Sequence, residues 1–235
     1  MQNKRVSVTC FSVVPSFLIK KFSRFHDVAW ISFTAYAWYT TGLPGGIARA
    51  AEANSCELAL HLASHELVAS FRGHILALLD TGFVSCVFAN EDEAAVLAGR
   101  GVGEAGGADA GLQLLASKCK TAVVTLGPAG CVAARGAEIV RVPAVASGGP
   151  GLDSTGAGDA FAAGFLAGDL ARRSLRECCV LGCVAGAAVV ECTGAECSPE
   201  RWAWARAQLP ALGLVDEEEV GASQVASCPW TGGDA

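Results

Sequence analysis

A chain of 235 residues, 52% of them hydrophobic and only 17% charged, is long and apolar enough for one α/β domain built on a buried parallel sheet. Its formal charge of -6, with no long basic block, argues against nucleic acid as a partner, yet leaves an anionic substrate open because backbone amides can hold a phosphate. The 11 cysteines are an odd count with no CxxC pair, so they are read as reduced structural thiols in a reducing compartment.

Residues 1–27 form an N-terminal extension with Lys4, Arg5, Lys20, Lys21 and Arg24 and no acid before Asp27. That composition fits an organellar transit peptide, and Val6–Ile19 has some character of a signal core. The plainer alternative, an irregular or unrelated N-terminus, is preferred. Localisation is therefore expected to be cytoplasmic, or plastid or mitochondrial. The uncharged stretch Val28–Ala48 has the length of a membrane span, but Thr34, Tyr39, Thr40, Thr41 and the turn Gly42–Gly46 interrupt it. A buried strand followed by a loop is expected there, with no membrane partner.

Strands and helices then alternate. Strands are expected at Val28–Phe33, Glu57–His61, Phe83–Ala89 and Thr121–Leu126, with a hairpin of Cys131–Ala134 and Glu138–Val142 around Gly136. Helices are expected at Ile47–Ala53, Glu66–Leu79, Glu91–Ala98, Ala110–Ala116, Asp159–Ala171, Leu175–Cys192 and Pro199–Leu209. In the second of these, Leu67, Phe71, Ile75 and Leu78 are placed on one face. Cys178, Cys179 and Cys183 lie in an apolar helix, as small core residues. His61 and His65 have the spacing of a metal pair, but His61 ends a strand and no third ligand is evident, so zinc is not expected. Gly164 and Gly168 each cost about 1 kcal/mol in a helix interior, which close packing on Leu175–Cys192, with Ala185, Gly186 and Ala187 opposite, would offset. The alternation implies a three-layer fold with a mainly parallel sheet. The tail 214–235, with Asp216–Glu219 and then small residues, is expected to be disordered.

The densest chemical signal is Asp153-Ser154-Thr155-Gly156-Ala157-Gly158-Asp159, running into Ala160-Phe161-Ala162-Ala163-Gly164-Phe165. Small residues at a helix start leave amides bare, and the helix dipole favours negative charge there. An Asp in that turn can take a proton from an incoming hydroxyl. A simple Ser/Thr/Asp helix cap is the competing explanation. A Walker-type GxxxxGK(S/T) is absent, which disfavours a P-loop kinase.

The whole string resembles the C-terminal signature of the PfkB/ribokinase family of carbohydrate kinases, D-(T/S)-T-G-A-G-D. The resemblance implies a ribokinase-like α/β/α sandwich and an ATP-dependent kinase acting on an alcohol group of a sugar or nucleoside. It implies Asp159 as the general base and the amides of Gly156, Ala157 and Gly158 as the anion hole. Asp153 and Thr155 match positions that hold a monovalent cation, K⁺ for example, in several relatives. Thr125-Leu126-Gly127-Pro128-Ala129-Gly130 is similar to the family's strand and glycine turn along the nucleotide, so Thr125, Gly127 and Gly130 are expected to bind ATP. Asn90-Glu91-Asp92-Glu93 resembles the family's N-x-x-E. This adds Asn90 to the nucleotide side and gives Glu93 a water-mediated hold on Mg²⁺, although the same residues form a capping box. Residues 88–94 and 199–202 look similar to plant- and alga-type members.

The match covers about residues 28–213, and nothing upstream resembles the family's substrate and lid part. An N-terminally truncated fold is expected, with self-association through an uncovered sheet edge. Cys183 falls near a position where many relatives have Asn by the adenine. A non-catalytic PfkB-like binding or regulatory protein is the alternative to a kinase.

Overall fold

The computed structural model describes residues 5–8, 28–194 and 197–214. Seven strands form one sheet in chain order: β1 (Arg5–Val8), β2 (Val28–Thr34), β3 (Glu57–His61), β4 (Val84–Asn90), β5 (Thr121–Thr125), β6 (Cys131–Arg135) and β7 (Glu138–Val142). Neighbours from β1 to β5 run parallel, while β6 and β7 add an antiparallel hairpin at one edge. Seven helices accompany them among the described residues: α1 (Leu43–Ala53), α2 (His65–Asp80), α3 (Glu91–Leu97), α4 (Gly107–Ala116), α5 (Ala157–Leu170), α6 (Leu175–Val189) and α7 (Pro199–Gln208). None is long and apolar enough to cross a membrane.

Strand alternation divides the core into two layers. Leu58 and Leu60 of β3, Val87 and Ala89 of β4, and Ala122 and Val124 of β5 pack with Ile47, Leu67, Ile75, Leu79 and Leu112 from α1 to α4. The intervening Ala59, Cys86, Phe88 and Val123 pack with Phe161, Phe165, Leu166, Cys178 and Cys179 from α5 and α6. Each large apolar side chain buried this way contributes about 1.5–3 kcal/mol. Helices thus cover both faces, the three-layer arrangement expected from the sequence. Burial drives the Cys86 thiol well above its ordinary range and Cys178 up to about 11, and hydrogen bonding to Cys131 drives Cys183 up.

Some boundaries differ from expectation for local reasons. Read from the sequence, the fold begins at Val28, yet Arg5–Val8 pairs in parallel with β2. The turn expected at Gly42–Gly46 is mostly the first turn of α1, because Gly42 adopts left-handed backbone (φ 76°) as its cap and Pro44 suits that turn. In α2, Phe71 departs from helical geometry (φ -115°, ψ 15°), and the buried face past it uses Leu79, with Leu78 only half-buried. The remainder of residues 1–27, and 215–235 of the tail, lie outside the described residues.

The α5–α6 contact depends on glycine. A Cβ on Gly164 would sit 2.6 Å from the Leu181 carbonyl oxygen and 3.0 Å from the Ala185 Cβ, and one on Gly168 would sit 2.8 Å from Leu181 Cδ1. Close packing of these helices is as expected. The facing residues are Leu181, Cys178 and Ala185, while Gly186 sits against Ala157 and Phe161.

Candidate active site

The carboxyl ends of the parallel strands bring the candidate residues onto one edge, where ligands bind in open α/β sheets. The ladder pairs Thr34 of β2 with His61 of β3, and Asn90 of β4 with Thr125 of β5. The start of α5 reaches this edge from the opposite layer, since Asp159 Oδ1 lies 3.6 Å from His61 Nδ1.

The loop before α5 is shaped by its own polar groups. Asp153 Oδ1 accepts from the Thr155 N–H (2.9 Å) and hydroxyl (2.7 Å), and its Oδ2 accepts from the Gly194 N–H at 2.9 Å. The Thr155 amide bond is the first cause of an Asp153 carboxyl held below its usual range. Upstream, Glu191 accepts from the Ser147 hydroxyl and from the Gly151 N–H at 3.0 Å. Arg201 of α7 donates to the Ser147 carbonyl at 2.9 Å and lies over the Trp204 ring at 4.2 Å. The ends of α6 and α7 therefore hold residues 147–153 in place.

Gly156 caps α5 in left-handed backbone (φ 79°) without a side-chain cap bond. Of the Gly156, Ala157 and Gly158 amides expected to form the anion hole, that of Ala157 is engaged by the Ser154 carbonyl at 3.1 Å, so the available donors of the turn move on to Gly158 and Asp159. Gly158 and Asp159 follow as uncapped first-turn donors, which by helix geometry have no intrahelical acceptor. A Cβ on Gly158 would meet open space. The Asp159 side chain is 64% exposed, so its carboxylate stands in the same turn as those donors and is open to solvent.

Asn90 and Glu93 make a complete capping box at α3. The Asn90 N–H donates to Glu93 Oε2 and the Asn90 Nδ2 to Oε1, both at 2.9 Å, while the Glu93 N–H donates to Asn90 Oδ1 at 2.8 Å. Glu93 is buried, and burial pushes its carboxyl up to about 7 against the opposing Asn90 amide bond. Asp159 is close enough to add to that rise. The structure thus brings Asn90, Glu93, Thr125 and Asp159 to one edge.

Thr125 donates weakly to the Ala89 carbonyl at 3.4 Å. Gly127 begins a short 3-10 turn at Gly127–Ala129, and a Cβ there would meet nothing. Gly130 differs: it has φ 94°, and its Cβ would lie 2.0 Å from the Val142 carbonyl oxygen, so its place is dictated by the end of β7. Cys183 Sγ lies 3.9 Å from Cys131 Sγ in the core beneath α6.

The sequence does not place His61 beside Asp159. A histidine ending a parallel strand is the visible signal, but only the fold brings it to α5.

Residues 47–201 match the family model described as the pfkB family carbohydrate kinase. The chain belongs to the PfkB family of carbohydrate kinases. Among solved structures, a probable sugar kinase from Rhizobium etli CFN 42 is 32% identical with a TM-score of 0.71, the match covering 81% of this chain and 56% of that one. Adenosine kinase from Sinorhizobium meliloti is 35% identical with a TM-score of 0.70, over 83% and 57%. The Acarbose 7(IV)-phosphotransferase of Actinoplanes sp. (strain ATCC 31044 / CBS 674.73 / SE50/110) is 51% identical over 59 residues, which are 25% of this chain and 20% of that protein. The PfkB chain here thus spans little more than half the length of these solved relatives. Arabidopsis thaliana ribokinase, at 18% identity and a TM-score of 0.59, shares the fold.

Proposed function

We propose that this PfkB chain takes part in transfer of the γ-phosphoryl group of ATP to a hydroxyl of a sugar or nucleoside. The observation that carries this reading is the exposed Asp159 carboxylate in the same helix turn as the uncapped amides of Gly158 and Asp159. Asp159 accepts the proton of the acceptor hydroxyl as that oxygen bonds to the γ-phosphorus. The bond from phosphorus to the β–γ bridging oxygen breaks, and ADP leaves. The amides and the helix dipole favour the negative charge carried by the transferring group. Gly156, Ala157 and Gly158 provide the small, open surface that lets it approach.

The nucleotide is assigned to the edge formed by Asn90, Thr125 and the turn from Gly127 to Gly130. Mg²⁺ supplies charge neutralisation at the phosphate oxygens. Both Glu93 oxygens already accept from Asn90, which fits a hold on the metal through its hydration water and not direct ligation. Asp153 and Thr155, tied together at the loop, are the groups assigned to a monovalent cation such as K⁺. The acceptor class follows the names of the relatives, a sugar kinase, an adenosine kinase and an acarbose phosphotransferase.

Asp159→Asn tests the assignment. It keeps a helix-compatible side chain and all backbone donors but removes the proton acceptor. Turnover with the best acceptor from a sugar and nucleoside panel is expected to fall by about 10²–10⁴-fold, with MgATP affinity little changed. Near-normal turnover in this variant would sink the base assignment.

A further inference from the structure

A buried histidine stands against the candidate site. His61 ends β3 and is only 9% exposed. Its Nε2 lies 2.7 Å from Ser32 Oγ on β2, and its Nδ1 lies 3.6 Å from Asp159 Oδ1 on α5. The ring also packs on Phe88 of β4, with centroids 5.0 Å apart. Burial lowers its pKa and the Asp159 carboxylate partly raises it, the net direction being down, so the ring is neutral near pH 7.

A neutral imidazole carries a single N–H, and its two neighbours decide where that proton sits. An ionised carboxylate can only accept, whereas a hydroxyl can donate or accept. Both contacts are satisfied by one tautomer: Nδ1–H turned to Asp159, with Nε2 accepting from the Ser32 hydroxyl. The other tautomer would set a nitrogen lone pair against a carboxylate. Ser32 is 2% exposed, so its hydroxyl is placed to orient the ring and not to attack a substrate.

We propose that Ser32 and His61 form a positioning relay for Asp159, in which the Ser32 hydroxyl anchors the His61 ring at Nε2 and the Nδ1–H, the tautomer the carboxylate selects, orients that carboxylate for proton acceptance. This rests on the reading of Asp159 as base. At 3.6 Å the His61–Asp159 contact is longer than a hydrogen bond, as catalytic contacts often are before substrates bind. His61 acts through Asp159, so it is a positioning residue.

The test separates the relay from the kinase reading. In the full chain, ¹⁵N–¹H NMR of the histidine rings should show His61 as Nδ1–H. Asp159→Asn should move the His61 titration midpoint further down, because the carboxylate that raises it is gone. Ser32→Ala should keep the Nδ1–H tautomer, because the Asp159 carboxylate selects it, but should broaden the His61 ring resonances as the anchor at Nε2 is lost. His65 is followed alongside, since Glu93 on α3 senses both His65 and Asp159. An Nε2–H tautomer in the unmodified chain, or an unmoved midpoint in the Asn variant, overturns the relay. In turnover, His61→Leu should lose about 10–100-fold in kcat with KM for ATP unchanged, while His61→Asn, which keeps an N–H donor, should recover most of it. Equal losses in the Leu and Asn variants count against positioning. Absence of phosphotransfer from the unmodified chain would overturn the kinase reading alone, because tautomer and midpoint decide the relay in either case.

Discussion

Gly158 separates ligand chemistry from folding. Its Cβ would meet open space and its backbone is ordinary helix, so Gly158→Ala should leave the fold intact and add up to about 1 kcal/mol of helix propensity. On the proposed function, the added methyl would stand in the path of a phosphate approaching the amides. Thermal denaturation should show an unchanged or raised Tm without nucleotide, and a reduced Tm gain as MgATP is added. An undiminished nucleotide gain would mean that phosphate does not approach this turn. Glu93 makes a prediction about pH. Its folded-state pKa of about 7 lies above its ordinary 4.5, so between those values the native state binds more protons than the unfolded one. Stability from this group is therefore present at low pH and lost as pH rises through that window, by at most about 3 kcal/mol. Urea midpoints from pH 4.5 to 8 should fall less steeply in Glu93→Gln, which can still complete a capping box. Parallel slopes in the two proteins would refute the burial effect.

The α5–α6 contact leaves no room for side chains at its glycines. The methyl groups of Gly164→Val would press on the Leu181 carbonyl, a backbone atom that cannot swing away. Overpacking of this kind costs about 1–3 kcal/mol, and Tm should drop by roughly 3–10 °C, with α5 still helical by circular dichroism. A Tm within a degree of the parent would show that the helices can slide apart freely. Most elements were legible beforehand because their periodicities are clean: Glu57–His61 and Thr121–Thr125 are short apolar runs between turns, and α7 opens with Ser198 and Pro199. The start of α1 was not, since Gly45 and Gly46 read locally as a turn and only packing of Leu43 and Ile47 into the core makes that stretch helical. The family motifs single out Asn90, Thr125 and Asp159 one by one, and the strand ladder and the start of α5 bring them to one edge. His61 and Ser32 escaped because their meeting depends on strand order and on α5 crossing to the same edge, a long-range fact with no local signal.

Across the whole molecule the two helical layers differ in chemistry as well as position. The α1–α4 side is largely aliphatic, while the α5–α6 side carries Phe161, Phe165, Cys178, Cys179 and Cys183 against Cys86 and Phe88. That segregation gives the protein its own set of stopwatches. A thiol reacts as its thiolate, and the buried thiols of Cys86, Cys178 and Cys183 are all pushed up, so an aromatic disulfide reagent can modify them only after the layer lifts from the sheet. Their modification should be slow, should share one rate, and should quicken in Gly164→Val because that substitution loosens the packing of α6 on α5. Separate rates for the three sulfurs would mean that the layer breathes piece by piece. Cys178 and Cys183, small core residues in the sequence reading, thus join Cys86 in making the opening of one face of the sheet directly countable, sulfur by sulfur.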